Sequence, residues 1–171
     1  RITCLIVPNL AVYACLKGER GGRPTIAVDS TSACRVRAVS QSAHNQGVHT
    51  GQTLNTVLNI CPDIQVLEWS EARFIQAKAR LSKALLMLSP SVQAVPDCEN
   101  SFILDASGMG LLGGEVAFVQ RLREACFELE YTDVRIGIAP QWGLSILAAK
   151  YASPSTPVCR ISDTDSMDFI N

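Results

Sequence analysis

The sequence predicts an α/β protein of the α+β kind: a mixed sheet with helices on one face and a small inserted lobe near the N-terminus. Three observations carry that expectation. From about Leu67 onward, short apolar runs alternate with stretches of helical period, in the order helix, two strands, helix, strand, helix, strand. One further apolar run, Ile2–Val7, opens the chain. Between them lie short β-branched segments punctuated by glycine, which read as a separate lobe spliced into the larger one.

Each element has a local reason. Ile2–Val7 is closed by Pro8 and Asn9 and reads as a strand; Leu10–Leu16 meets no breaker before Gly18 and reads as a short helix. Thr25–Val28 and Val36–Ser40 are β-branched or alternating runs. Gly51–Cys61 has Leu54, Val57 and Leu58 at helical spacing before Pro62, and Ile64–Leu67 is another short strand. Ser70 can cap a long helix whose inward face is Phe74, Ala77, Leu81, Leu85 and Leu88, stopped near Pro90. Val92–Val95 and Phe102–Asp105 form a strand pair across Asp97, Cys98, Glu99 and Asn100. Then come a helix over Glu115–Phe127, burying Phe118, Val119, Leu122 and Cys126, a strand over Val134–Ala139, a helix over Leu144–Tyr151 and a strand near Val158–Ile161.

Composition narrows the class. The 171 residues are 47% hydrophobic and 18% charged, with mean hydropathy +0.17, so the chain folds rather than staying disordered. No apolar run approaches the roughly 18 residues that cross a bilayer, and the start lacks a signal-peptide layout; a soluble, cytoplasmic protein with no membrane partner is expected. Seven scattered cysteines, never spaced Cys-x-x-Cys, predict buried thiols rather than zinc or disulfides. A net charge of −1 gives no global footprint for nucleic acid, so any such contact must be local. The local surplus is Lys17, Arg20, Arg23, Arg35 and Arg37 against Glu19 and Asp29, which reads equally as phosphate contacts or as a solvated charge run. The absence of a starting Met and the acidic, Ser/Asp-rich end predict a fragment.

Three motifs do not carry chemistry. Gly108-Met109-Gly110-Leu111-Leu112-Gly113 matches a dinucleotide fingerprint between strand and helix, and a dinucleotide-binding enzyme is one alternative class. The following strand, however, ends in Pro140 and Gln141 without the ribose-binding carboxylate, and Asp105 and Glu115 bring negative charge to the glycines. Gly143-Leu144-Ser145 lacks the second glycine of a nucleophile elbow, and both histidines precede Ser145, so Ser145 reads as a packing serine. His44 and His49 are five apart around Gly47, on neither one helix face nor one strand face, and are expected in a solvated loop rather than on a metal.

A wider constellation is informative. Ser40-Gln41-Ser42-Ala43-His44, then Gly47-Val48, Gly51 and Cys61-Pro62, resembles the fingers of Y-family translesion DNA polymerases, where the pattern is Ser-Tyr-Glu-Ala-Arg, Gly-Val, Gly-Met and Cys-Pro. Phe102-Ile103-Leu104-Asp105-Ala106-Ser107-Gly108 is similar to the family's palm hairpin. Gly137-Ile138-Ala139-Pro140, Ala149-Lys150-Tyr151-Ala152-Ser153 and Arg23-Pro24 with Ala27-Val28 match neighbouring segments. The resemblance implies a palm-like domain over residues 1–10 and 68–161, a fingers-like lobe over 11–67, and the start of a linker or thumb over 162–171. It also implies a nucleotidyltransferase fold acting on DNA with Mg²⁺.

The departures point away from catalysis. The family's first-strand Asp falls on Ile6, with Pro8 two residues on, and no Asp or Glu occurs before Glu19. The hairpin's Asp-Glu pair falls on Asn100 and Ser101. Two close Mg²⁺ ions require carboxylates, so a bound metal is not expected. The triphosphate-gripping Tyr, Arg and Lys positions fall on Gln41, His44 and Thr156, which supply no fixed charge at neutral pH. This pattern, with Val7-Pro8-Asn9-Leu10 and the stretch from Leu104 to Glu115, resembles ImuB-type proteins of damage-induced (SOS) mutagenesis. Their implied role in DNA repair is non-catalytic: bringing an error-prone replicative-type polymerase to a sliding clamp and damaged template. An active error-prone DNA polymerase with displaced acids is the alternative within the family.

Overall fold

The structure is a computed structural model, and it describes residues 1–16, 22–96, 98–108 and 113–162. Eight strands and six helices run in the order β1 (Ile2–Ile6), α1 (Leu10–Cys15), β2 (Thr25–Val28), β3 (Val36–Val39), α2 (Gln41–His44), α3 (Leu54–Ile60), β4 (Gln65–Glu68), α4 (Glu71–Leu86), β5 (Val92–Ala94), β6 (Ser101–Asp105), α5 (Gly114–Glu128), β7 (Arg135–Ala139), α6 (Trp142–Tyr151) and β8 (Val158–Arg160) among the described residues.

Contacts divide the chain into two units. One holds Arg1–Val7 and the chain from Ala79 onward; the other is the contiguous stretch Pro8–Lys78. The lobe therefore takes in Pro8–Leu10 and Glu68–Lys78, beyond the span of 11–67 set by the sequence reading. The first half of α4 explains the difference: the Trp69 and Phe74 rings meet at 5.3 Å, and the Arg73 guanidinium donates to the Cys15 carbonyl at 3.5 Å.

The larger unit is built on a mixed sheet ordered β5-β6-β1-β7-β8. β1 pairs antiparallel with β6 and with β7, while β7 and β8 run parallel. Facing residues share a side, so Thr3, Leu5, Phe102, Leu104, Ile136 and Ile138 lie on one face, and all are fully buried. Leu81 and Leu85 of α4 and Phe118 and Leu122 of α5 are equally buried. The other face carries Cys4, Ile103 and Gly137 and receives α6. A Cβ at Gly137 would lie 2.1 Å from the Ser145 carbonyl oxygen and 2.2 Å from the Ala149 nitrogen, so only glycine lets the helix backbone settle on β7. The expected mixed sheet is present, with α6 packed against the face that carries Cys4, Ile103 and Gly137. Ser145 is fully buried and donates its hydroxyl to the Trp142 carbonyl at 2.7 Å, the packing role its context predicts.

The lobe is a three-stranded sheet ordered β3-β2-β4, with β2 antiparallel to β3 and parallel to β4. Its core is Ile26, Val28, Val36, Ala43, Val48, Val57, Cys61 and Ile64. α2 exists because Ser40 caps it: the Ser40 hydroxyl oxygen accepts from the Ala43 N–H at 3.3 Å and from the Thr25 N–H at 2.9 Å, which also ties the cap to β2. Thr53 caps α3 in the same way, through the Thr56 N–H.

Candidate functional site

The larger unit brings three of the sequence-marked positions together. Ile6 lies opposite Ser101 on β6 and opposite Arg135 on β7, and the Val7 N–H donates to the Asn100 carbonyl at 2.9 Å. Ile6, Asn100 and Ser101 therefore occupy one corner of the sheet. Ile6 and Cys98 pack against the apolar cluster of Cys4, Val95 and Ile103. Burial pushes the Cys4 thiol up to about 12, with nearby Cys98 adding to the effect and Lys150 opposing it. Ser101 is buried and Asn100 half-buried.

This donor set does not fit a pair of Mg²⁺ ions. One position is a hydrocarbon, two are neutral, and Arg135 stands beside them in register. Asp105 sits at the far end of the same strand, opposite Ile2, four residues and roughly 13 Å from the Ser101 position. Its carboxyl is held below the usual range by the side chain and backbone of Ser107, whose N–H donates at 2.8 Å, so it serves the turn rather than the corner. Among the described residues, no group of three or more His, Cys, Asp or Glu is placed to hold a metal ion. Asp97 lies outside the described residues, and Glu99 is exposed in the hairpin connection.

Thr156, in the same unit, is exposed in a turn closed by reciprocal hydrogen bonds with Ser153 of 3.0 Å each, immediately before β8. Thr156 thus lies in a tight, uncharged turn.

The glycine-rich stretch is described only at its ends, since residues 109–112 lie outside the described residues. Gly108, Gly113 and Gly114 have φ of +76°, +91° and +75°. The N-terminus of α5 is already served by the chain's own carboxylate: Glu115 accepts from Arg1 Nε at 2.7 Å and has Arg160 Nε at 3.9 Å. A pyrophosphate would have to displace that pair.

In the lobe, Gln41 and His44 lie on α2. The Gln41 N–H donates to Asn9 Oδ1 at 2.8 Å and its side chain donates to Asn45 Oδ1 at 2.9 Å, whereas His44 is exposed. Sequence periodicity missed α2, which is one turn long; the Ser40 cap was the readable signal. His49 is also exposed, yet it is not remote from His44: the two rings meet edge to face with centroids 4.9 Å apart. Helix and strand periods could not show this, because the contact is made by the reversal at Gly47.

Lys17 and Arg20 lie outside the described residues. Arg23, Arg35 and Arg37 are exposed. Arg35 donates to the Gly51 carbonyl at 2.9 Å, and the Arg37 guanidinium stands 5.8 Å from the Trp69 ring centre. A β-bulge falls at Arg37: Ala27 faces Ala38 and Val28 faces Val36, which leaves Arg37 as the extra residue. Asp29 faces the same region, its carboxyl lowered chiefly by the Thr31 hydroxyl and least by Arg37.

The impB/mucB/samB family model matches residues 14–153. Comparison with curated protein sequences gives no match. Among solved structures, the chain is similar to a post-insertion binary complex of Dbh DNA polymerase, with TM-score 0.83 and 18% identity over 99% of this chain and 50% of that one. DinB from Sulfolobus solfataricus gives TM-score 0.80 and 16% identity, covering 100% of this chain and 51% of that one. A Y-family DNA polymerase chimera of Dbh and Dpo4 gives 0.80 and 16%, covering 99% and 51%. The chain spans about half the length of these structures. Its fold is that of about half of these Y-family DNA polymerase structures, and with the family model covering most of its length the chain belongs to the impB/mucB/samB family.

Proposed function

We infer that this chain is the palm-and-fingers portion of a DNA-binding protein of translesion synthesis that does not itself join nucleotides, an ImuB-type accessory of damage-induced mutagenesis. One observation carries the reading: where Ile6 faces Ser101, Ile6 packs into an apolar cluster, Asn100 and Ser101 are neutral, and neither strand carries a carboxylate at that level. Phosphoryl transfer depends on metal-held charge, and hydrocarbon and amide groups do not supply it. A working polymerase with displaced acids would need Glu99 turned into the corner. The fixed Ile6–Ser101 register opposes this, since a one-residue slip sends side chains to the other face.

DNA contact in this reading is made through phosphates by Arg23, Arg35 and Arg37, together with Lys17 and Arg20. Association with an error-prone replicative-type polymerase and a sliding clamp follows from the accessory role. The test is primer extension by the full-length protein with Mg²⁺ and with Mn²⁺. No incorporation above a mock preparation is expected; template-dependent incorporation would overturn the reading.

A further inference from the structure

The chain has two histidines, and the fold sets them ring to ring. The turn that does so is well anchored. α2 is closed by the two hydrogen bonds of a Schellman motif: the Val48 N–H donates to the Ala43 carbonyl at 3.2 Å, and the Gly47 N–H donates to the His44 carbonyl at 3.0 Å. Gly47 takes φ +90°, a conformation that costs a residue with a Cβ far more than glycine. Val48 and Ala43 are both fully buried in the lobe's core, so the reversal is fixed from inside. The His49 N–H is in turn held by Gln52 Oε1 at 2.9 Å. Two exposed imidazoles thus project from a closed turn with their backbones pinned.

We propose that His44 and His49 form a two-ligand site for a borderline divalent cation, represented by Zn²⁺, with water completing the coordination. Distance is the deciding quantity. Two imidazoles on one tetrahedral zinc, at Zn–N of about 2.0–2.1 Å, place their ring centres about 5 Å apart. The observed 4.9 Å meets that without backbone movement. The present edge-to-face pose becomes a chelate by rotation of the exposed rings about their side-chain torsions. Imidazole nitrogen suits Zn²⁺, Ni²⁺ and Cu²⁺, whereas Mg²⁺ and Ca²⁺ require oxygen ligands. No third His, Cys, Asp or Glu joins the pair among the described residues, so a bound ion keeps open positions that an external oxygen ligand, such as a phosphate, can reach. The site does not depend on whether the sheet corner is catalytic.

The test uses the imidazole C–H signals in a proton–carbon NMR spectrum of the chain during titration with Zn²⁺, because only two rings contribute. Both rings should shift together and saturate at one ion per chain, and Mg²⁺ at the same concentrations should move neither. His44→Ala and His49→Ala should each weaken the effect on the remaining ring at least tenfold. His49→Gln replaces His49→Ala should the latter lose native amide dispersion. Zn²⁺ taken up by the cysteines leaves the imidazole signals unmoved and overturns the proposal, as does a single variant that binds as tightly as the parent.

Discussion

Replacing Gly137 by alanine adds one methyl group at the most crowded point of the larger unit. The new Cβ would meet the Ser145 carbonyl oxygen at 2.1 Å, the Ala149 nitrogen at 2.2 Å and the Ala148 carbonyl carbon at 2.9 Å. All three are backbone atoms of α6, so no side chain can rotate away. Relief requires the helix to retreat by on the order of 1 Å, since non-bonded heavy atoms settle near 3.5–4.0 Å. Overpacking typically costs about 1–3 kcal/mol where side chains can adjust. Here the retreat also loosens Leu144, Ala148 and Ala149, which are buried against the sheet. The opposing gain, lower entropy of the unfolded chain, is only about 0.4–1 kcal/mol. A net loss of about 3 kcal/mol or more is expected, or roughly 6–12 °C in Tm for a chain of this size. Urea unfolding followed by tryptophan fluorescence measures it, with Trp142 at the start of α6 as a local reporter. The internal control is Gly143→Ala on the same helix, where an added Cβ meets nothing within 4 Å and stability should rise by up to about 1 kcal/mol. A Gly137→Ala variant within about 1 kcal/mol of the parent would refute the close-packing account.

Leu104→Ala and Leu122→Ala each empty a fully buried site and should cost about 2–5 kcal/mol by chemical denaturation; a near-zero cost for both would mean that β6 and α5 do not contribute these side chains to the core. Restoring acids as Asn100→Asp with Ser101→Glu should yield no primer extension, because Ile6 leaves the facing wall apolar, and incorporation by the double variant would contradict this. The same variant should lose on the order of 1–3 kcal/mol at pH 7, since burial raises the folded-state pKa of a carboxyl at position 101. Such a penalty shrinks as pH falls toward the ordinary carboxylate range, so a larger loss at pH 4 than at pH 7 would sink the explanation. The Cys4 and Cys126 thiols, both pushed up to about 12 mainly by burial, should resist maleimide at pH 8 while half-buried Cys34 reacts; equal rates by peptide mapping would count against the packing. Because their folded-state values lie above the unfolded ones, the stability they contribute is present below about pH 9 and is lost as pH rises toward 12.

The sequence makes the large elements readable because each buries a long stripe. Phe74, Leu81 and Leu85 on α4, and Phe118, Leu122 and Cys126 on α5, repeat at helical spacing and are all buried. Short elements leave no such trace. α2 spans Gln41–His44, less than the two turns that periodicity needs, and its only local signature is the Ser40 cap. Strand order was equally hidden, since Ile6 reads the same whether it ends an edge strand or a central one. The meeting of Ile6 with Ser101 is non-local, as is the demand for glycine at 137, which comes from the backbone of α6 and not from any turn. The reversal after α2 is legible as a glycine but not as a cap, so helix and strand periods set His44 and His49 apart while the Schellman hydrogen bonds draw them together.

The position of β1 has a consequence for how the chain assembles. The first strand in sequence is the middle strand of its sheet, and both neighbours are distant: Ser101–Asp105 on one side and Arg135–Ala139 on the other. Closing those loops carries an entropic cost before any pairing rewards it. The lobe, by contrast, is one uninterrupted stretch whose strands find partners within it. During vectorial synthesis Pro8–Lys78 can therefore become native while β1 waits unpaired for β6 and then β7. Pulse-labelled hydrogen exchange in refolding should show amides of β2 and β3 protected before those of β1. Early protection of Cys4 and Leu5 would instead mean that β1 first finds a non-native partner.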